Sequence, residues 1–168
     1  MIQIAVLLIE VILCFLLQTT VFRWFALANI VPNLLLILTV TYGFLKGKTK
    51  GLLVGLLCGL LIDFMYGDVI GLYAMIYMAI GYVNGNFNKV FNSSDKIIPI
   101  ILVGFSQLGY FLLYYLFNFL LRGRLNIVFY FLTIGLPEIV YTTIVSIFVY
   151  RIFYNIDVYL DGILKKEA

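Results

Sequence analysis

Polar side chains that could carry chemistry lie inside apolar sequence in this chain. Glu10, Cys14 and Gln18 recur at four-residue spacing, which places them on one face of a helix. Gln107 and Glu138 lie in two later apolar segments. Such groups are costly in hydrocarbon unless they are protonated, hydrogen-bonded or in contact with water. They predict a polar cavity for a ligand or proton, a hydrogen-bonding seam for a partner helix, or contacts between this chain's own helices.

Enzyme chemistry has little support in the sequence. The chain contains no histidine, which excludes histidine acid–base catalysis, serine–histidine triads and histidine metal sites. Cys14 and Cys58 lie in the middle of apolar segments and form no CxxC pair, so we interpret them as small buried hydrophobic residues. The sequence has no Walker loop, HExxH or GxSxG motif. We therefore expect no enzyme activity, no cofactor and no metal site.

The composition is typical of a membrane protein. Of the 168 residues, 64% are hydrophobic and 11% are charged, whereas a soluble domain carries roughly 25% charged residues. The bilayer must therefore act as the solvent for most of the surface. The net charge of +3 is modest and does not indicate nucleic-acid binding.

Apolar segments predict an all-α membrane protein with six transmembrane helices in one domain, residues 1–154. The second segment is short because Pro32 is expected to begin its regular helix. Residues 25–31 must then help it to cross, or the segment enters the membrane without crossing. The polar loop that starts at Asn84 is expected to follow the fourth helix. The predicted segments are 2–22, 25–45, 51–66, 69–83, 97–121 and 127–150.

The C-terminal part of the chain adds a bend and a tail. Pro137 stands beside Glu138 in the sixth segment, where a proline removes a backbone hydrogen bond and bends the helix. Residues 155–168 are amphipathic at helical spacing. They predict a cytoplasmic tail in the headgroup plane or, alternatively, a helix that binds a partner.

The basic residues predict the orientation of the chain. With six spans, both termini are expected in the cytoplasm, because the loops on that side carry most of the lysine and arginine. A five-span arrangement with a re-entrant second segment would move only Arg23, so charge does not separate the two. The expected inside residues are Lys46, Lys48, Lys50, Lys89, Lys96, Arg151, Lys165 and Lys166, and the outside ones are Arg23, Arg122 and Arg124.

A row of small residues organises the middle of the chain at four-residue spacing: Gly47, Gly51, Gly55, Gly59, Asp63, Gly67 and Gly71. This spacing forms a slowly drifting stripe on a helix, and glycine lets a second backbone approach closely. Asp63 comes near the end of the apolar run, where a charge needs a partner or water. We expect tight packing between the third and fourth helices, with partner binding as the alternative.

The stretch from Val31 to Gly85 resembles the rod shape-determining protein MreD family. The resemblance rests on Val31-Pro32-Asn33-Leu34, on the glycine row with Gly59-Leu60-x-x-Asp63, and on Gly67 and Gly71-Leu72. Asn33 stands where that family commonly has an aspartate. The helix-packing or partner-binding residues would be Pro32, Asn33, Gly51, Gly55, Gly59, Asp63, Gly67 and Gly71, and the intramembrane polar residues Glu10, Gln18, Gln107 and Glu138.

This resemblance implies a non-enzymatic inner-membrane scaffold of the bacterial cell-elongation complex. It implies binding to MreC and, through the complex, to MreB, RodA and a class B penicillin-binding protein, which together guide lateral peptidoglycan synthesis and rod shape. Self-association stays open. The resemblance also suggests that Asp63→Leu reduces assembly with MreC while membrane insertion is retained.

The alternative is a substrate-binding S component of an energy-coupling factor vitamin transporter. The MreD family is similar to those small six-span proteins in general architecture. S components usually carry an Ala-x-x-x-Ala patch on their first helix, where this chain has Ala5 without a second alanine at that spacing. The intramembrane polar residues would still suit a cavity in either class.

Overall fold

The computed structural model describes residues 2–26, 29–67, 70–91, 95, 97–118, 123 and 126–167. Six helices and no strand make up the described part of the chain, and four of them, α1, α3, α5 and α6, are long and apolar enough to cross a membrane. The predicted all-α membrane fold is therefore confirmed. The helices are α1 (Ile2–Leu16, continued by Leu17–Val21 and Phe22–Trp24), α2 (Leu34–Lys46), α3 (Lys48–Tyr66), α4 (Leu72–Phe87), α5 (Ile97–Asn118) and α6 (Ile127–Tyr130, Phe131–Gly135 and Leu136–Glu167).

The short helix α2 lies at the centre of the bundle. Ten of its thirteen residues are buried, and at 1.5 Å per residue it is about 20 Å long, less than a hydrocarbon core of about 30 Å. The prediction that Pro32 begins this helix is wrong by two positions. Asn33 is the cap and Leu34 the first helical residue, because the Asn33 side chain accepts a hydrogen bond from the amide of Leu36 at 3.1 Å.

Several predicted boundaries also change. Helix α3 begins at Lys48 rather than Gly51, and α4 runs from Leu72 to Phe87, so the predicted loop at Asn84 is helical. The side-chain amide of Asn84 donates to the carbonyl of Ile80 at 2.8 Å and to the hydroxyl of Ser106 at 2.8 Å, so this polar side chain finds its partners inside the bundle. The predicted ends at 69 and 121, and the basic residues Lys96, Arg122 and Arg124, lie outside the described residues.

Two of the long helices contain a π-helical turn. In α1 the turn is Leu17–Val21, and in α6 it is Phe131–Gly135, which ends two residues before Pro137. Proline lacks an amide hydrogen, which accounts for the disturbed hydrogen bonding in the preceding turn of α6. Helix α6 then continues without a break to Glu167, so residues 155–167 extend it. The location of that end in the headgroup plane stays a prediction.

Polar contacts join the helix ends on the side of the bundle where α2 ends. The Lys46 ammonium lies 2.7 Å from a carboxylate oxygen of Asp157 and 3.0 Å from one of Asp161. The Asn88 side chain donates to the carbonyls of Phe44 and Leu45 at 2.6 and 2.9 Å. The end of α2, the end of α4 and the last part of α6 therefore meet on one side.

Candidate functional site

The glycine row of α3 lies directly against the backbone of α4. A β-carbon added to Gly51 would lie 2.5 Å from the carbonyl oxygen of Gly81, and one on Gly55 would lie 2.7 Å from the carbonyl carbon of Tyr77. At Gly59 the added atom would lie 2.6 Å from the carbonyl oxygen of Tyr73. Real β-carbons do not occupy such positions, so each of these sites requires glycine.

The partner helix supplies its own small residues. Gly81 and Gly85 face α3, and an added β-carbon at either would overlap backbone atoms of Gly51 and Lys48, respectively. Gly43 of α2 takes part in the same contact, because a β-carbon added to Gly43 would lie 2.8 Å from the carbonyl oxygen of Gly81. Backbones of three helices therefore meet around Gly81, and the packing partner of the glycine row lies within this chain.

Asp63 is buried and caps the following helix. Its two carboxylate oxygens accept hydrogen bonds from the amides of Tyr73 and Ala74 at 3.0 and 2.9 Å. These amides lie in the first turn of α4, where four amides lack helical partners and the helix dipole favours negative charge. Gly71, the N-cap of α4, has a φ of +103°, which favours glycine. The carboxylate therefore joins α3 to α4.

Asn33 connects α2 to two other helices. Besides capping α2, its side-chain oxygen accepts a hydrogen bond from the hydroxyl of Tyr77 at 2.7 Å. Its backbone amide donates to the hydroxyl of Thr142 at 3.1 Å. The side chain of Gln18 accepts from the amide of Leu35 at 3.3 Å, so α1 also contributes to the start of α2. Pro32 is buried beside this network and makes the approach to it rigid.

The two predicted intramembrane carboxylates have different surroundings. Glu10 is 7% exposed, and its carboxylate accepts a hydrogen bond from the hydroxyl of Tyr42 at 2.5 Å. Glu138 instead lies at the wall of a polar chamber, beside the Gln107 amide. Gln107 is fully buried, and its side chain interacts with that of Glu138 without reaching the geometry of a regular hydrogen bond. The structure does not bring Glu10 and Glu138 together in that chamber.

The polar chamber has a volume of about 180 Å³. A wider vestibule of about 470 Å³ adjoins it and shares Gln18, Thr19 and Tyr66 with it. The vestibule also contains Arg23, on the side of the bundle where α1 ends. The chamber is lined by Phe15, Gln18, Thr19, Asn33, Ile62, Tyr66, Tyr73, Tyr77, Tyr110 and Glu138.

The sequence interpretation did not find the tyrosine part of this wall. Tyr110 of α5 lines the chamber together with Tyr73 and Tyr77 of α4. The ring centroids of Tyr77 and Tyr110 are 5.7 Å apart in an edge-on arrangement. The four-residue spacing of Tyr73 and Tyr77 places them on one face of α4, and that spacing was the available signal.

These features define a multi-pass, all-helical membrane protein with a tightly packed helix pair and a small polar chamber. The chain belongs to the MreD family, because the model of the rod shape-determining protein MreD matches residues 1–156. The resemblance noted in the sequence is thereby confirmed and extended beyond Val31–Gly85. No curated protein and no solved structure matches the chain. Membership in this family implies a role in the determination of rod shape.

Proposed function

We propose that this protein is a non-enzymatic scaffold of the bacterial cell-elongation complex that binds MreC in the inner membrane. Through MreC it would assemble with MreB, RodA and a class B penicillin-binding protein, and so guide lateral peptidoglycan synthesis. The observation that carries the proposal is the family match over residues 1–156. The glycine row and Asp63 contact α4 of the same chain, which supports a role for these residues in stabilising the fold.

The proposed orientation places both termini in the cytoplasm. Lys46, Lys48 and Lys50 lie at the junction of α2 and α3, on the side where α6 ends. The vestibule with Arg23 lies on the other side. This distribution follows the positive-inside rule.

A groove between α4 and α5 is the surface that we assign to a membrane helix of MreC. It has a volume of about 380 Å³, and apolar side chains line most of it, including Val83, Phe105 and Leu113. Gly109 lies in the groove, and an added β-carbon there would meet nothing within 4 Å. An open glycine between bulky apolar residues lets a second helix approach closely in lipid.

The floor of this groove offers a polar contact as well. The amide of Asn84 donates to the hydroxyl of Ser106 at 2.8 Å, across α4 and α5. The Ser106 hydroxyl retains its own hydrogen for a further acceptor. Interhelical hydrogen bonds of this kind contribute to helix association in lipid.

The test combines depletion with a variant of the groove. Depletion in the native host should round the cells without a vitamin requirement, whereas normal shape with a vitamin requirement would favour the transporter alternative. Gly109→Leu places a bulky side chain in the groove, at a position where an added β-carbon meets no other atom within 4 Å, so we expect MreC recovered by co-purification to fall about tenfold or more.

Gly162→Leu is the matched control for this variant. Gly162 is also helical with open space at its β-carbon, but it lies in the last part of α6 and does not line the groove. It should leave MreC binding unchanged. Equal MreC recovery from the wild type and Gly109→Leu would overturn the assignment of the groove while leaving the depletion result to stand by itself.

A further inference from the structure

The polar chamber has the electrostatic character of a cation site. Its wall carries one carboxylate, Glu138, and no lysine or arginine among the described residues. A basic side chain, Arg23, lies in the adjoining vestibule. An ionised carboxylate enclosed in the membrane needs a positive partner, and the described wall does not supply one.

The neighbouring side chains add electron-rich groups. Tyr73, Tyr77 and Tyr110 contribute rings and hydroxyl oxygens to the wall. Aromatic rings attract ammonium groups, most strongly where water is excluded. Gln107, next to Glu138, adds a buried amide that interacts with this carboxylate without forming a regular hydrogen bond to a described residue.

The backbone around the chamber is irregular on both sides. Gln18 and Thr19 belong to the π-helical turn of α1, and Glu138 follows the π-helical turn of α6. Such turns frequently occur at functional sites, because they change the direction of side chains on an otherwise regular helix. The chamber volume of about 180 Å³ exceeds the ~30 Å³ that one water occupies and suits a small ligand.

We propose that the chamber binds a small organic ammonium group, with Glu138 as its counterion and the tyrosines at its sides. The group enters through the vestibule, on the side where α1 ends. Two sources have this chemistry: a water-soluble amine and the headgroup of phosphatidylethanolamine. This site is separate from the groove between α4 and α5 and does not depend on binding to MreC.

The test uses the full-length protein in nanodiscs. In phosphatidylglycerol discs, tetramethylammonium or ethanolamine should raise the melting temperature saturably, whereas sodium at the same ionic strength should not. If neither amine acts but phosphatidylethanolamine discs raise the melting temperature, the source is the lipid headgroup. No stabilisation by the amines or by the lipid, or an equal effect of sodium, would overturn the proposal.

Glu138→Gln removes the charge and keeps the shape of the side chain. It should weaken ammonium binding by about 30-fold or more, because the cation would lose the one carboxylate that the described residues place in the chamber wall. Glu10→Gln is the matched control, since Glu10 is an intramembrane carboxylate that accepts a hydrogen bond from Tyr42 and is not part of the chamber wall. Equal binding by the wild type and Glu138→Gln would contradict the site, provided that both melt cooperatively in the absence of ligand.

Discussion

The α3–α4 pair and the polar chamber lie side by side and follow opposite rules. In the pair, Gly51, Gly55 and Gly59 leave no room for a side chain, and both oxygens of Asp63 accept hydrogen bonds. In the chamber, space is left open beside Glu138, and the neighbouring amide of Gln107 forms no regular hydrogen bond with a described residue. Polar residues with complete hydrogen bonding build the fold, whereas polar residues beside open space are available to a ligand or water.

The largest effect is expected from Gly55→Ala. The new β-carbon would lie 2.7 Å from the carbonyl carbon of Tyr77, and two helix backbones would have to separate. We expect a loss of about 3 kcal/mol in the free energy of unfolding, measured by denaturant titration in detergent. Gly109→Ala is the control, because its β-carbon meets open space and alanine favours a helix by about 1 kcal/mol. Equal stabilities of the two variants would remove the distinction between packed and open glycines.

Asp63→Leu should have the next largest effect. It removes both acceptors from the amides of Tyr73 and Ala74, and a buried donor without a partner costs about 1–3 kcal/mol. Asp63→Asn keeps one acceptor oxygen and should lie between the wild type and Asp63→Leu in the same titration. The expected reduction in MreC assembly would then follow from a loosened α4. Unchanged stability together with lost assembly would instead make Asp63 a direct contact for the partner.

Gln107→Leu should have the smallest effect and the opposite sign. Leucine is similar in size and removes a buried amide that forms no regular hydrogen bond to a described residue, so we expect a gain of about 1 kcal/mol in the ligand-free protein. Thermal unfolding of the wild type and the variant in the same detergent measures it. A loss of stability would show that Glu138 or water completes the hydrogen bonding of Gln107, and the chamber would then resemble the α3–α4 pair.

The sequence predicted those features that depend on the pattern of residues along a single helix. Apolar length predicted six helices, and the four-residue row predicted a close contact for α3. The same spacing recurs in α4 at Tyr77, Gly81 and Gly85, and it indicates the complementary surface. Predicted helix boundaries were wrong where a side-chain hydrogen bond sets the end of the helix. At Asn33, the side-chain oxygen caps α2, so the helix begins after Pro32.

The chamber could not be predicted from the sequence because it depends on contacts between distant segments. Gln18, Tyr77 and Glu138 are far apart in the chain, and their meeting is set by the crossing of α1, α4 and α6. The spacing of residues shows which side chains share a face of a helix, but it does not show which other helix packs against that face. The pairing of Lys46 with Asp157 has the same origin, since it joins the end of α2 to the last part of α6.

The burial of α2 has a consequence for biogenesis. Helices α3 and α4 are neighbours in the chain, so their contact can form soon after both have been synthesised. Helix α2 is too short to span the hydrocarbon core by itself. Thr142 of α6 binds Asn33 at its start, and Asp157 and Asp161 of α6 bind Lys46 at its end. Those residues leave the ribosome more than a hundred residues after Asn33. The second helix to be made is therefore among the last to reach its final position, and a chain truncated before α6 would leave it without its anchors.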